Sequence, residues 1–256
     1  MLQSIAMPLQ TTQAYVLRTY ALAEADKICV FLTKDSGKVR GVAHGARKMK
    51  SRFGSSLEPF TEVALTYFYK ENRELVSVST CDIVHSSFYI ASRDVETASV
   101  LAYMAELISE FLPDHEPNEK LYRLVTASIE SIAESKDLRL MLRYFESWLL
   151  KLTGFFPDLS QCSACRERIG YNNSAFLTVQ GAPRCHNCSG GRGDVADAEM
   201  RRVVDEMFRV HPRQFASREV SVKRLAQLGQ INYQIIRHAL ERDLRSRALL
   251  KELAEI

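Results

Sequence analysis

Five stretches in the first third of the chain carry short β-like patterns. Residues 13–20 (QAYVLRTY), 28–33 (ICVFLT), 37–44 (GKVRGVAH), 60–69 (FTEVALTYFY) and 75–81 (LVSVSTC) are rich in Val, Thr, Tyr and Phe. Such residues suit a pleated, half-buried surface. Turn-forming triplets separate them: Asp35-Ser36-Gly37, Gly54-Ser55-Ser56 and Glu71-Asn72-Arg73. Five strands in about 70 residues, mostly without helical periodicity between them, predict a small closed barrel of the OB type. An SH3-like barrel would give nearly the same string. The OB reading is favoured because a longer, loop-rich link follows the third strand.

From about Ile83 the hydrophobic period lengthens from two to nearly four. Residues 95–112 place Val95, Ala98, Leu101, Ala102, Ala105, Ile108 and Leu112 on one helical face, ended by Pro113. A second helix is predicted over 119–135 with Asn118 as its cap, and a third over 138–152 with Gly154 just beyond it. Trp148, the only tryptophan, is expected to fill space between these helices. Helical patterns return over 196–210 and 220–250, the latter with a break expected near Gly229. The predicted architecture is α+β: an OB-type barrel domain at 1–84, then an all-α domain at 85–256 into which a zinc module is inserted at 160–190.

Composition permits this size of core without pointing to a membrane. The 256 residues are 46% hydrophobic and one quarter charged, and no long disordered tract stands out. The first 17 residues lack charge, but Gln3, Ser4, Pro8, Gln10, Thr11, Thr12 and Gln13 make them too polar for a membrane span. They also lack the basic start of a signal peptide. A soluble cytoplasmic protein is expected.

Charge is unevenly distributed. Residues 1–84 hold 11 Lys/Arg against 8 Asp/Glu, residues 85–158 hold 7 against 12, and residues 159–256 hold 16 against 11. Net charges of +3, −5 and +5 follow, a pattern that fits anionic partners at two places. The front excess is concentrated at Lys38, Arg40, Arg47, Lys48, Lys50 and Arg52, with no acid until Glu58. A cationic strand feeding a cationic loop is one way for a small barrel to hold a nucleic-acid backbone. A solvated basic loop is the plainer alternative. Phe53, in the same loop, could stack on a base or anchor the loop to the barrel.

Cys162-x-x-Cys165 and Cys185-x-x-Cys188 are the most specific local signal. Each pair can supply two thiolates to a tetrahedral zinc, and the intervening residues suffice for a hairpin that brings the pairs together. Four cysteines close the coordination shell, so one structural zinc per chain is expected. His186 lies inside the second pair as a bystander, and Cys29 and Cys81 read as small buried apolar residues. No His-x-Glu, HExxH, GxxxxGK[ST], GxGxxG or GxSxG pattern is present, and the acid pairs Glu106/Glu110 and Glu130/Glu134 suit solvated helix faces. The residues predict a protein that is not an enzyme.

Together these features resemble a known family. The segment AEADKICVFLTKDSGKVRGVAHGARKMKSRFGSSLEPFTEV, preceded by QAYVLRTY, is similar to the N-terminal domain of the bacterial recombination mediator family RecO. The similarity continues in Leu142-Arg143-Tyr144-Phe145-Glu146, Leu149-Leu150, Gly154-Phe155, Pro157 and Leu159, directly before the first cysteine pair. It returns in Leu244-Arg245-Ser246-Arg247 and Leu249. Residues 189–235 fit the family pattern poorly. Some members lack the four cysteines, and this chain keeps them all.

The resemblance implies a non-catalytic DNA-repair protein of the bacterial nucleoid. Such proteins bind single- and double-stranded DNA and anneal complementary strands, including strands coated by single-strand-binding protein. They act with RecR, and in many bacteria RecF, to load RecA. The acidic, apolar-ended tail of single-strand-binding protein would need cations beside an apolar groove. Arg139 and Arg143 lie four apart next to Phe145, Trp148 and Leu149, and Arg237, Arg242 and Arg245 offer another wall. For Arg143 a partly buried ion pair, with Glu146 or another helix, is the competing reading. Two other functional classes stay open: a zinc-ribbon factor in transcription or RNA processing on the same barrel, and a nuclease with scattered carboxylates.

Overall fold

The computed structural model describes residues 8–69, 74–135 and 137–250, so the turn expected at Glu71-Asn72-Arg73 lies outside the described residues. Two compact units divide the chain, Met1–Arg123 and Leu124–Ile256.

Unit one is built on five strands: β1 (Leu9–Leu22), β2 (Asp26–Thr33), β3 (Gly37–Ala43), β4 (Glu62–Phe68) and β5 (Val76–His85). They close in the order β1-β2-β3-β5-β4 and back to β1. All pairings are antiparallel except β3 with β5, where Gly41 meets Val76 and Val42 meets Ser77. This Greek-key closure through a parallel β3/β5 pair is the OB arrangement expected from the strand pattern. Gly41 makes it possible: a Cβ there would stand 2.8 Å from a Val76 methyl and 2.9 Å from one of Val78. Alternate residues Ala14 and Val16, Cys29 and Phe31, Val63, Leu65 and Tyr67 point inward and are buried. The period of two thus sorts each strand into a core face and an outer face.

The barrel does not stand alone in its unit. After a short turn of helix, α1 (Phe88–Ala91), helix α2 (Val95–Phe111) begins at Asp94, whose carboxylate accepts from the Thr97 amide at 2.6 Å. The acids of this segment then meet the cations of the barrel. Arg18 pairs with the buried Glu106, and Asp114 pairs with both Lys38 and Arg40. The acidic middle of the sequence therefore neutralises part of the basic front internally. Helix α3 (Glu119–Glu134) follows, its Leu121 amide capped by Asn118 as expected, and Tyr122 donates to Glu62 of β4 at 2.9 Å.

Unit two is mostly helical. Helix α4 (Leu138–Leu152) is capped by Asp137 and matches its sequence prediction to the residue. Strands β6 (Ala175–Leu177) and β7 (Pro183–Arg184) form the expected hairpin, flanked by the short α5 (His186–Ser189). A third strand, β8 (Asp194–Ala196), adds to the other edge of β6. The helix predicted from residue 196 starts two residues later as α6 (Ala198–Met207), because Asp197 caps it and accepts from the Met200 amide at 2.9 Å. A short α7 (Pro212–Phe215) precedes α8 (Val222–Leu240).

The break expected at Gly229 does not occur. α8 runs through it and ends at Glu241, which takes a left-handed φ of 54°. A turn of 3-10 helix, Arg245–Leu250, follows. The glycine has a different purpose, clearance: a Cβ at 229 would lie 2.6 Å from Cζ of Arg143 on α4. Trp148 is half-buried, donating its indole N–H to the Met207 carbonyl at 3.0 Å and meeting Phe208 edge-on.

Candidate nucleic-acid interface and metal centre

The loop from β3 to β4 is held by its own backbone. Asp26 accepts from the Gly45 amide and from His44 Nδ1, both at 2.8 Å, and these bonds, the Gly45 amide first, hold its carboxyl below the usual carboxylate range. The Arg47 amide donates to Ala25, Lys48 to Gly45 and Ser51 to Lys48, so successive turns fix the path. Phe53 settles its open alternative. It is 3% exposed, packed into the barrel core with Leu57, and serves as the loop anchor. Arg52 lies over the Phe53 ring at 4.8 Å and donates to the Val78 carbonyl at 3.3 Å.

The six cations expected to face DNA fall into two groups. Arg47, Lys48, Lys50 and Arg52 are exposed on the anchored loop. Arg47 spends one N–H on the Ala23 carbonyl at 2.6 Å, leaving the rest of its guanidinium outward. Lys38 and Arg40 lie on β3 and are already engaged. Lys38 donates to the Ser109 carbonyl at 2.6 Å and sits 3.2 Å from Asp114, while Arg40 meets Asp114 at 2.8 Å and Glu74 at 3.6 Å. A phosphate reaching these two would compete with Asp114. That carboxylate carries no local sequence signal; only the charge imbalance between segments hinted at it.

In unit two the structure gathers the four cysteines. The Sγ atoms of Cys162, Cys165, Cys185 and Cys188 all lie within 4.8 Å of one another, with Cys165 and Cys185 at 3.9 Å. Four sulfurs about 2.3 Å from one tetrahedral ion would be about 3.8 Å apart, so the donor set fits a metal of that size. None of the six cysteines of the chain is in a disulfide. Backbone amides of Cys165 and Cys185 point at Cys162 and push its thiol down to about 6, whereas the neighbouring cysteines raise Cys188. Amide N–H groups aimed at sulfur favour the thiolate that a metal requires.

The surrounding elements hold these pairs in place. The Cys162 amide donates to Glu167, Ser163 donates to Pro183 of β7, and Cys185 opens α5. Arg201 of α6, buried at 8% exposure, donates to the carbonyls of Ile169, Gly170 and Asn173 at 2.7–3.0 Å. It tethers the loop between the cysteine pairs, a role that nothing in its local sequence announces. His186 lies tilted against Phe176 with ring centroids 5.6 Å apart, and is not part of the ligand cluster.

Family models described as Recombination protein O N terminal and Recombination protein O C terminal match residues 7–87 and 92–248 in that order. The chain belongs to the recombination protein O family. Its relatives include the DNA repair protein RecO of Koribacter versatilis, 34% identical over 245 residues that cover 96% of this chain and 99% of that protein. The protein of the same name from Geobacter metallireducens is 29% identical over 94% of this chain and 97% of its own length. That from Desulforamulus reducens is 32% identical over 72% and 70%.

Within this RecO-family chain, Arg143 occupies the place its competing reading gave it. It is 7% exposed and pairs with Glu146, itself 2% exposed, at 2.6 Å. Asn232 of α8 donates to Glu146 at 3.2 Å and to Ser147 at 3.0 Å, completing a buried polar cluster between α4 and α8. Arg139 is half-buried one turn earlier, and Arg237 lies 3.9 Å from Asp243. No helix among the described residues is long and apolar enough to cross a membrane.

Proposed function

We propose that this protein is a non-catalytic recombination mediator that binds single- and double-stranded DNA and anneals complementary strands, acting with RecR to help load RecA onto DNA coated by single-strand-binding protein. RecF enters the same reading as a further partner. The observation that carries it is the anchored cationic loop on a five-stranded OB barrel, in a chain whose two halves match both RecO-family models in order. Arg47, Lys48, Lys50 and Arg52 make the main phosphate contacts, and Lys38 and Arg40 join when a phosphate displaces Asp114. Cys162, Cys165, Cys185 and Cys188 hold one structural zinc, whose bound charge fixes the cysteine loops against α6; closed by four thiolates, it has no position left for a reacting water. For the acidic tail of single-strand-binding protein, the half-buried Arg139 of α4 supplies the cation, while Arg143 acts by holding the helix pair together.

Strand annealing by the wild type and by the Arg47→Ala/Lys48→Ala/Lys50→Ala/Arg52→Ala variant tests this reading. Each phosphate contact on a single strand contributes about 0.7 to the slope of log affinity against log salt. The variant should lose annealing and flatten that slope by about 2–3. Unchanged affinity and slope would overturn the interface. Cleavage of the strands would favour a nuclease, and a marked preference for RNA would favour a factor in RNA processing.

A further inference from the structure

Strand β1 is longer than its partner on one side. Its pairing with β4 ends at Tyr15, opposite Glu62, and the last bonds on that edge join Val16 to Phe60 and Thr61. Its pairing with β2 continues to Leu22, opposite Asp26. Residues 18–22 are therefore bonded on one edge, and among the described residues no strand covers the other. Alternate residues of such a strand present an N–H and a C=O outward. An uncovered edge is usually blunted by proline or by a free charge. Here the sequence is Arg-Thr-Tyr-Ala-Leu, and its one charge, Arg18, is held by Glu106 at 3.3 Å.

A groove of about 470 Å³ runs beside this edge. One wall is β1 itself, from Leu17 to Tyr20, and α2 supplies the small side chains Ala98, Ala102 and Ala105 on one helical face. Phe88 of α1, 60% exposed, and Tyr20, 49% exposed, stand at its rim. Glu58 also lines it, and no cation among the described residues pairs with that carboxylate. The combination has a definite complement: backbone that continues the sheet, large apolar side chains over the alanines, and a positive charge near Glu58.

We infer that this groove is a docking site for an extended segment of a partner protein, which adds as a strand to residues 18–22 of β1. The segment carries large apolar residues at alternate positions and a Lys or Arg placed to meet Glu58. Main-chain bonds supply affinity in such strand addition, and the side-chain pockets supply selectivity. The groove is lined by none of the four exposed loop cations and by none of the four clustered cysteines, although Glu58 belongs to the same β3–β4 loop.

Panning a random-peptide library against the full chain, with Ala102→Trp and Glu58→Lys proteins in parallel, tests the inference. Peptides alternating in apolar residues and carrying a basic residue should be enriched on the wild type. A synthetic copy should bind Ala102→Trp at least about tenfold more weakly, a difference of about 1.4 kcal/mol. Methylating its alternate backbone amides should abolish binding, and hydrogen exchange should slow within residues 18–22. Glu58 is exposed, so Glu58→Lys keeps the test open if Ala102→Trp fails to fold: binding should weaken and return when the peptide's basic residue becomes Glu. The inference fails if no sequence is enriched, if enrichment ignores both substitutions, if the methylated peptide binds equally, or if protection falls elsewhere.

Discussion

Gly229→Ala sets two effects of known sign against each other inside α8. Alanine is the better helix former, and in an unhindered helix interior the change stabilises by about 1 kcal/mol. At this position the new methyl would stand 2.6 Å from Cζ, 2.8 Å from Nη1 and 2.9 Å from Nε of Arg143. A guanidinium at the end of a free side chain would swing away at little cost. This one is 7% exposed and bonded to Glu146 at 2.6 Å, so moving it parts a buried ion pair. Losing one partner of such a pair costs about 3–5 kcal/mol. The clash outweighs propensity, and the variant should be less stable by about 2–4 kcal/mol. Trp148 is the only tryptophan and lies on α4, so its fluorescence during urea unfolding reports on the unit concerned. The midpoint should fall. In an Arg143→Met/Glu146→Leu background the obstacle is gone, and the same change should be neutral or stabilising by up to about 1 kcal/mol. An unchanged or raised midpoint in the otherwise wild-type protein would refute the clearance argument and return Gly229 to a role in the chain's own flexibility.

Elemental analysis of protein purified without chelator should find close to one zinc per chain, and Cys185→Ser should reduce it together with stability, since metal binding of this kind contributes on the order of 10 kcal/mol to folding. Asp114→Asn removes the carboxylate that engages Lys38 and Arg40, so DNA affinity at low salt should rise and the salt slope steepen by up to about 1.4, two contacts at about 0.7 each, in a fluorescence-anisotropy titration. Asp94→Ala should cost about 1 kcal/mol through loss of the α2 cap, measured by thermal unfolding, with Asp94→Asn largely spared. The Thr97 amide lowers the Asp94 pKa in the folded state, so its contribution is present above the unfolded carboxylate range and fades as pH falls through the folded value; a wild-type minus Asp94→Ala difference that grew on acidification would contradict this.

Much of the fold was legible along the chain because its cause is local. Period-two burial places Val63, Leu65 and Tyr67 on one face of β4 whatever the strand packs against, and the apolar spacing of residues 138–152, with Gly154 just beyond, specifies α4 by itself. The cysteine pairs were equally readable, since two tight turns can supply four thiolates with few alternatives. Residues whose role depends on a neighbour distant in sequence could not be assigned this way. Gly229 looks like a helix breaker until Arg143 is seen against it, and β8 is too short for any periodicity to reveal. Lys38 and Arg40 look like free cations until Asp114 is brought to them, more than seventy residues along the chain. Composition determined how many charges the front of the protein carries; tertiary structure decided which of them remain open to a ligand, because a charge close to a fixed counter-ion is already satisfied and one on an anchored, exposed loop is not.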